Sequence, residues 1–398
     1  MSRSRLLAAA ALASAGVLAL AGCGSSANGS TSSGSVKVAV LTSKTGPLAA
    51  YGQEYLQGFK AGLDYATQGT GKVDGKKVEV DYVDDQGKPD TAVSQFKDLV
   101  GKGYQIIGGT ADSGIALQLA PLAEQNKVLY ISGPAAADQI TGINKYTFRS
   151  GRQTWQDVMT AGKSVGDIHG KNVVVLAQDY AFGQANVAAV KAVLGSQGAH
   201  VSQILVPLSA TDFTPFALKA KQARPDLLFV AWAGDTTGSM WQSLDQQGVF
   251  ASTKVVTGLA NIASYPLYGP ATSKIDFLSY YFSQAPDNPV NQAMVSDIRK
   301  AGGQADLFSP DGFVAAQMMV HAIQSGGDGS QLDVDKMVSG LEGWSFDAPK
   351  GKETIRKSDH AMLQPMFLAK LTKQGGSWVP QLEQTLDAAS VAPPEAGH

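Results

Sequence analysis

The sequence predicts an α/β protein made of two doubly wound lobes of parallel sheet. Three observations carry this. Short β-branched runs alternate with amphipathic segments of helix length, the pattern of parallel strands covered by helices on both faces. The alternation comes in two series, one before and one after the stretch from Tyr146 to Asp157. More than 350 residues follow Ser35, beyond the ~250 to 300 residues at which a single core stops growing.

The N-terminus comes before either series. Arg3 and Arg5 precede a charge-free, Ala- and Leu-rich run from Leu6 to Leu20. A spanning helix needs roughly 20 apolar residues, so this shorter run, ending in small residues, reads as a cleaved export signal over residues 1–22. Leu20-Ala21-Gly22-Cys23 has the pattern at which a bacterial lipoprotein is cut and its Cys thiol lipidated. Cys23 is the sole cysteine, which excludes a disulfide, a cysteine metal site or a cysteine nucleophile from the mature protein. Residues 23–35, the lipidated Cys and then GSSANGSTSSGS, have almost nothing to bury and read as a flexible tether. The expected location is the outer face of the cell membrane, held by lipid on Cys23.

Charge narrows the function. The chain has 32 basic and 34 acidic residues, and loss of Arg3 and Arg5 with the leader makes the balance more negative still. That is not the balance of a nucleic-acid binder. No segment after the leader is long and apolar enough to span a bilayer.

In the first series, strands are expected at Val36–Leu41, Lys77–Val83, Gln105–Ile107 and Val128–Ser132. Helices are expected along Tyr55, Phe59 and Leu63, around Ala92–Val100, and around Ile115–Gln125. In the second, strands are expected at Asn172–Ala177, Val201–Val206, Leu227–Trp232 and Lys254–Thr257, with helices near Ala185–Leu194, Pro215–Ala223 and Thr237–Gln247. Beyond Leu278–Phe282, helices near Asn291–Lys300, Gly312–Ile323 and Asp335–Leu341 have little strand between them, as if returning to cover the first lobe. The tail from Met362 to Leu371 and on to Pro380 reads as a hairpin. Open α/β sheets bind ligands beyond the carboxyl ends of their strands, so two facing lobes make a cleft with a hinge.

Seven fragments in order carry a resemblance: VKVAVLTSKTGPLAAYGQ from Val36, DYVDDQGKPDTA from Asp81, IIGGTADSG from Ile106, ISGPAAADQIT from Ile131, YTFRSGRQT from Tyr146, QDYAFGQ from Gln178 and GKETIRKSDHAMLQPMFLAKL from Gly351. Together they resemble type I periplasmic solute-binding proteins of the Leu/Ile/Val-binding group. The resemblance implies two α/β lobes joined by three crossing strands, with a ligand enclosed between them. The expected lobes are 36–152 plus 283–355 and 153–282 plus 356–398. It also implies a monomer without a cofactor that hands a small organic solute to the permease of an ABC importer.

The same resemblance places the ligand-binding residues. Ser113 lies where a hydroxyl and free helix N–H groups can hold a carboxylate, or where it only caps its own helix. Ala135 and Ala137 match the loop whose backbone contacts the ligand, although an ordinary tight turn has the same sequence. Tyr51 and Phe182 line the cleft in the resemblance, while Trp155 and Trp232 are further aromatic candidates or plain core. Asp112 and Asp235 fall at strand ends, where acids are usually just solvated. Leu259 stands where amino-acid-binding relatives carry the acid that pairs with the ligand's ammonium. An unpaired buried ammonium costs several kcal/mol, so either Asp235 or Asp112 substitutes or the ligand has no ammonium. Branched-chain amino acids and apolar or aromatic carboxylates both stay open.

Catalytic patterns are missing. The five histidines show no paired metal-ligand spacing, no GxSxG elbow occurs, and Gly166–Asn172 falls a residue short of a P-loop and ends in Asn. Asp84-Asp85-Gln86-Gly87 lacks the other ligands of a calcium loop. No metal is expected. The rival reading is a ligand-sensing receptor of the same fold acting with a signalling partner.

Overall fold

The computed structural model describes residues 34–327 and 331–396. The leader, Cys23 and most of the tether lie outside the described residues. From Gly34 on, the chain is one compact unit containing two sheet-centred lobes.

The first sheet comprises β1 (Ser35–Thr42), β2 (Lys72–Val73), β3 (Lys76–Asp84), β4 (Ile106–Gly108), β5 (Leu129–Ser132) and β6 (Thr147–Arg149), in the order β2-β3-β1-β4-β5-β6. Every pairing is parallel except β2 with β3. Ser35, the last expected tether residue, already pairs with Lys77. The central strands read as apolar runs because both faces are covered. One face holds α2 (Pro89–Gly101) and α3 (Ser113–Asn126). The other holds α1 (Ala49–Ala66) with three late helices that return as expected: α8 (Pro289–Lys300), α9 (Ser309–Ser325) and α10 (Val334–Leu341).

Helices α1 and α9 approach closely through glycine. A Cβ on Gly58 would lie 1.8 Å from the Ser309 carbonyl oxygen, and one on Gly312 would lie 1.9 Å from that of Tyr55. Only a residue without a side chain fits either place.

The second sheet contains β7 (Asn172–Gln178), β8 (His200–Val206), β9 (Leu227–Ala231), β10 (Lys254–Gly258), β11 (Ile275–Ser279), β15 (Met366–Gln374) and β16 (Ser377–Leu386), in the order β16-β15-β11-β10-β9-β7-β8. Its first five strands are parallel, and β15 and β16 add an antiparallel hairpin. Helices α4 (Thr154–Val165) and α5 (Ala181–Val193) pack on one face, α6 (Thr214–Gln222) and α7 (Thr237–Gln246) on the other.

Three crossings join the lobes: residues 150–153, the stretch following β11, and residues near Gln364. A small sheet of β12 (Ser345–Ala348), β13 (Gly351–Ile355) and β14 (Met362–Leu363) carries the chain on, with Thr354 facing Leu363. Between these strands the His360 ring stacks on Phe148 at 3.8 Å and its Nδ1 meets the Thr147 carbonyl at 2.9 Å. Residues 356–363 therefore belong with the first sheet, and the chain leaves it at Gln364-Pro365. Arg356 also donates to the carbonyls of Pro393 and Pro394, so the end of the tail returns to the same side.

Candidate functional site: the cleft between the lobes

The carboxyl ends of both sheets face one cleft, lined by residues of both lobes. The lobes touch on both flanks. On one, the Asn261 amide donates to Glu54 Oε1 at 2.9 Å and the Ile262 N–H to Asp306 Oδ2 at 2.9 Å. On the other, Ala116 and Ala137 of the first lobe pack with Ala185 on α5. This is a closed arrangement.

Five of the ten sequence-predicted ligand residues line the cavity: Tyr51, Ser113, Phe182, Trp232 and Leu259. Tyr51, in the first turn of α1, sets its ring edge-on to Phe308 at 4.9 Å. Phe182 opens α5. Trp232 follows β9, edge-on to Phe213 at 5.3 Å, with its indole N–H on the Thr236 hydroxyl. Leu259 is 1% exposed and tied to Leu278 by its amide. Ser113 begins α3 rather than preceding it. Its Oγ accepts from the amides of Ala136 and Ala137 at 3.1 and 3.2 Å. A hydroxyl still has a proton to donate, and no described residue takes it.

The other five sit elsewhere, each for a stated reason. Asp112 is the N-cap of α3 and accepts from the Ile115 amide at 3.0 Å, so Ala111 and Ser113 form the wall beside it. Ala135 and Ala137 are fully buried behind Ala136, and their carbonyls accept from Arg149 at 2.8 and 3.4 Å. The Ala135 amide goes to the Thr110 carbonyl, so this loop's polar backbone is committed inside the protein. Trp155 packs against the second-lobe core. Asp235 is exposed on the loop after β9.

The reading of the sequence missed Arg152, Asp157, Tyr180, Tyr268, Tyr280 and Phe308, all in the wall. Arg152 lies in the first crossing. It donates from Nη1 to the Pro134 carbonyl at 2.7 Å, meets Asp157 at 3.4 Å, and lies 3.5 Å over the Tyr280 ring. Burial pushes the Asp157 carboxyl up to about 7, against the pull of Arg152. An acid and a base five residues apart in a chain crossing were the available signal. Behind the crossing Lys350 pairs with Asp311 at 3.3 Å and with Glu353 at 3.9 Å, all three buried. Among the described residues no cluster of three metal-ligating side chains forms, and no helix is long and apolar enough to cross a membrane.

The site is a two-sided clamp in which aromatic and aliphatic side chains alternate with polar ones, and among the described lining residues no nucleophile–base pair forms, an arrangement suited to capture. Comparison with known proteins agrees. Residues 35–376 match the family model described as periplasmic binding protein. A Leu/Ile/Val-binding protein homolog from Brucella abortus is 27% identical over 352 residues, covering 85% of this chain and 88% of that protein. An ABC-type branched-chain amino acid transporter structure from Rhodopseudomonas palustris is 34% identical with a TM-score of 0.74, covering 90% of this chain and 99% of that one. A solute-binding protein of the same species in complex with p-hydroxybenzoic acid is 25% identical with a TM-score of 0.81, covering 89% and 97%. The chain belongs to the periplasmic binding protein family, as an extracytoplasmic solute-binding protein of type I fold.

Proposed function

We propose that this protein captures a small apolar or aromatic carboxylate without an ammonium group and delivers it to an ABC importer, tethered to the membrane by lipid on Cys23. The observation that carries the ligand class is the composition of the wall. Leu259 stands where an ammonium's counter-charge is expected, and the one acid among the described lining residues, Asp157, is already engaged by Arg152. The Ser113 hydroxyl, the start of α3 and a set of aromatic rings favour a carboxylate on an apolar body. The neighbour solved with p-hydroxybenzoic acid supports the same reading.

A thermal-shift screen of amino acids, their des-amino acids, benzoates and small amides tests it. The expected hits are the acids without an amino group, and hits confined to α-amino acids reverse the assignment. For the anchor, Cys23→Ala is expected to abolish labelling by radioactive palmitate while the protein still folds. Equal incorporation in the variant removes the lipid.

A further inference from the structure

Arg152 and Asp157 are the only charged side chains among the described residues of the cavity wall, and each is 2% exposed. The guanidinium is fixed from several sides. Its Cζ lies 3.5 Å from the centre of the Tyr280 ring and 5.6 Å from that of Phe308, with Nε toward Asp157 and Nη1 on the Pro134 carbonyl. A guanidinium has five N–H donors in one plane. These two bonds leave donors over at its edge. Stacking on a ring restricts approach to that edge and strengthens with loss of water.

Arg152 also holds the loop that Ser113 holds. It binds Pro134, while Ser113 accepts from the next residues but one, Ala136 and Ala137. Pro134 and Ala136 face the cavity between them. Behind that loop Arg149 takes the Ala135 and Ala137 carbonyls, which keeps the segment rigid. An acceptor group lodged against Pro134 and Ala136 therefore meets a wall that carries both a hydroxyl and a guanidinium.

We infer that Arg152 is a specificity-determining residue that, together with Ser113, selects an ionised carboxylate over its neutral amide. Asp157 is a positioning residue: it orients the guanidinium through Nε and keeps it buried in the empty cleft. The inference rests on the carboxylate reading given above and deepens it.

The test uses benzoate and 4-methylpentanoate, each beside its own amide, titrated calorimetrically into the full protein. Removing Arg152 alone strands Asp157, so the variant is the neutral pair Arg152→Gln with Asp157→Asn, with its melting temperature checked. Arg152→Lys, which keeps charge but loses the fork, is run beside it. Wild type is expected to prefer acid over amide by roughly tenfold to a hundredfold. The neutral pair is expected to lose that preference while still binding the amide, and the Lys variant to recover part of it. A preference that survives intact in the neutral pair overturns the role of Arg152 and leaves the carboxylate reading standing. If wild type takes acid and amide equally, or takes neither, both fall together.

Discussion

At the scale of single residues, Ser113 has two duties. Its oxygen accepts from the Ala136 and Ala137 amides, and its proton has no acceptor among the described residues and is free for a ligand. Ser113→Ala therefore affects the empty protein as well as the complex. Two buried N–H groups without an acceptor are expected to cost ~1 to 3 kcal/mol of stability, and the lost bond to a charged group to weaken a carboxylate by roughly tenfold to a hundredfold. Denaturant unfolding and calorimetry measure the two effects separately; a variant as stable as wild type contradicts the hydrogen-bond geometry. Ser113 was legible because a polar residue opening a helix beyond a strand end is the place where free N–H groups face a cleft. Ala135 and Ala137 were misplaced by one residue. The same small-residue loop can offer its backbone to a ligand or to Arg149, and nothing local in Pro134-Ala135-Ala136-Ala137 decides between them. Arg152 is hard to recognise in the sequence, since its partners Pro134 and Tyr280 are distant along the chain.

At the scale of elements, strands buried on both faces were readable as short apolar runs, and α1 to α3 and α5 to α7 as periodic segments. The reading failed where local pattern is weak. Strand β11 is only five residues long and follows a 3-10 stretch from Ile262 to Lys274 that is broken at Gly269. Strand β14 has two residues and exists through its pairing with β13. Contacts between elements also give the cleft a pH dependence. Glu54 on α1 accepts from Asn261 across the cleft and from the Phe308 amide. Burial, then the charge of Asp306, raises its carboxyl from 4.5 to about 8, and burial raises Asp306 to about 6. Tyr265 is a further titratable group close to both. An opened cleft returns Glu54 to water and toward its ordinary value. Between pH 4.5 and about 8 the closed form thus holds a proton that the open form releases, so closure weakens as pH rises through this window. A carboxylate ligand is expected to bind at least about tenfold tighter near pH 5.5 than near pH 8.5. Glu54→Gln, which removes the titrating proton and keeps an acceptor for one of the two donors, is expected to flatten the dependence; an unchanged slope in that variant assigns it elsewhere.

At the scale of the whole molecule, the two lobes were legible from length and from two series of strand and helix, and the return of α8 to α10 from their lack of intervening strands. The closed arrangement was not, because the inter-lobe bonds of Asn261, Ile262 and Glu54 join residues more than forty or two hundred positions apart. A ligand that touches both walls favours this closed form, and binding shifts the population toward it. The ligand's chemistry then decides the account. The most direct measurement is calorimetric titration of leucine and its des-amino analogue, 4-methylpentanoate, with phenylalanine and 3-phenylpropanoate as the aromatic pair. The account predicts one-to-one binding of at least one des-amino acid, at least about tenfold tighter than its amino acid, since an unpaired buried ammonium costs several kcal/mol. Tight binding of an amino acid with its des-amino analogue ignored contradicts it.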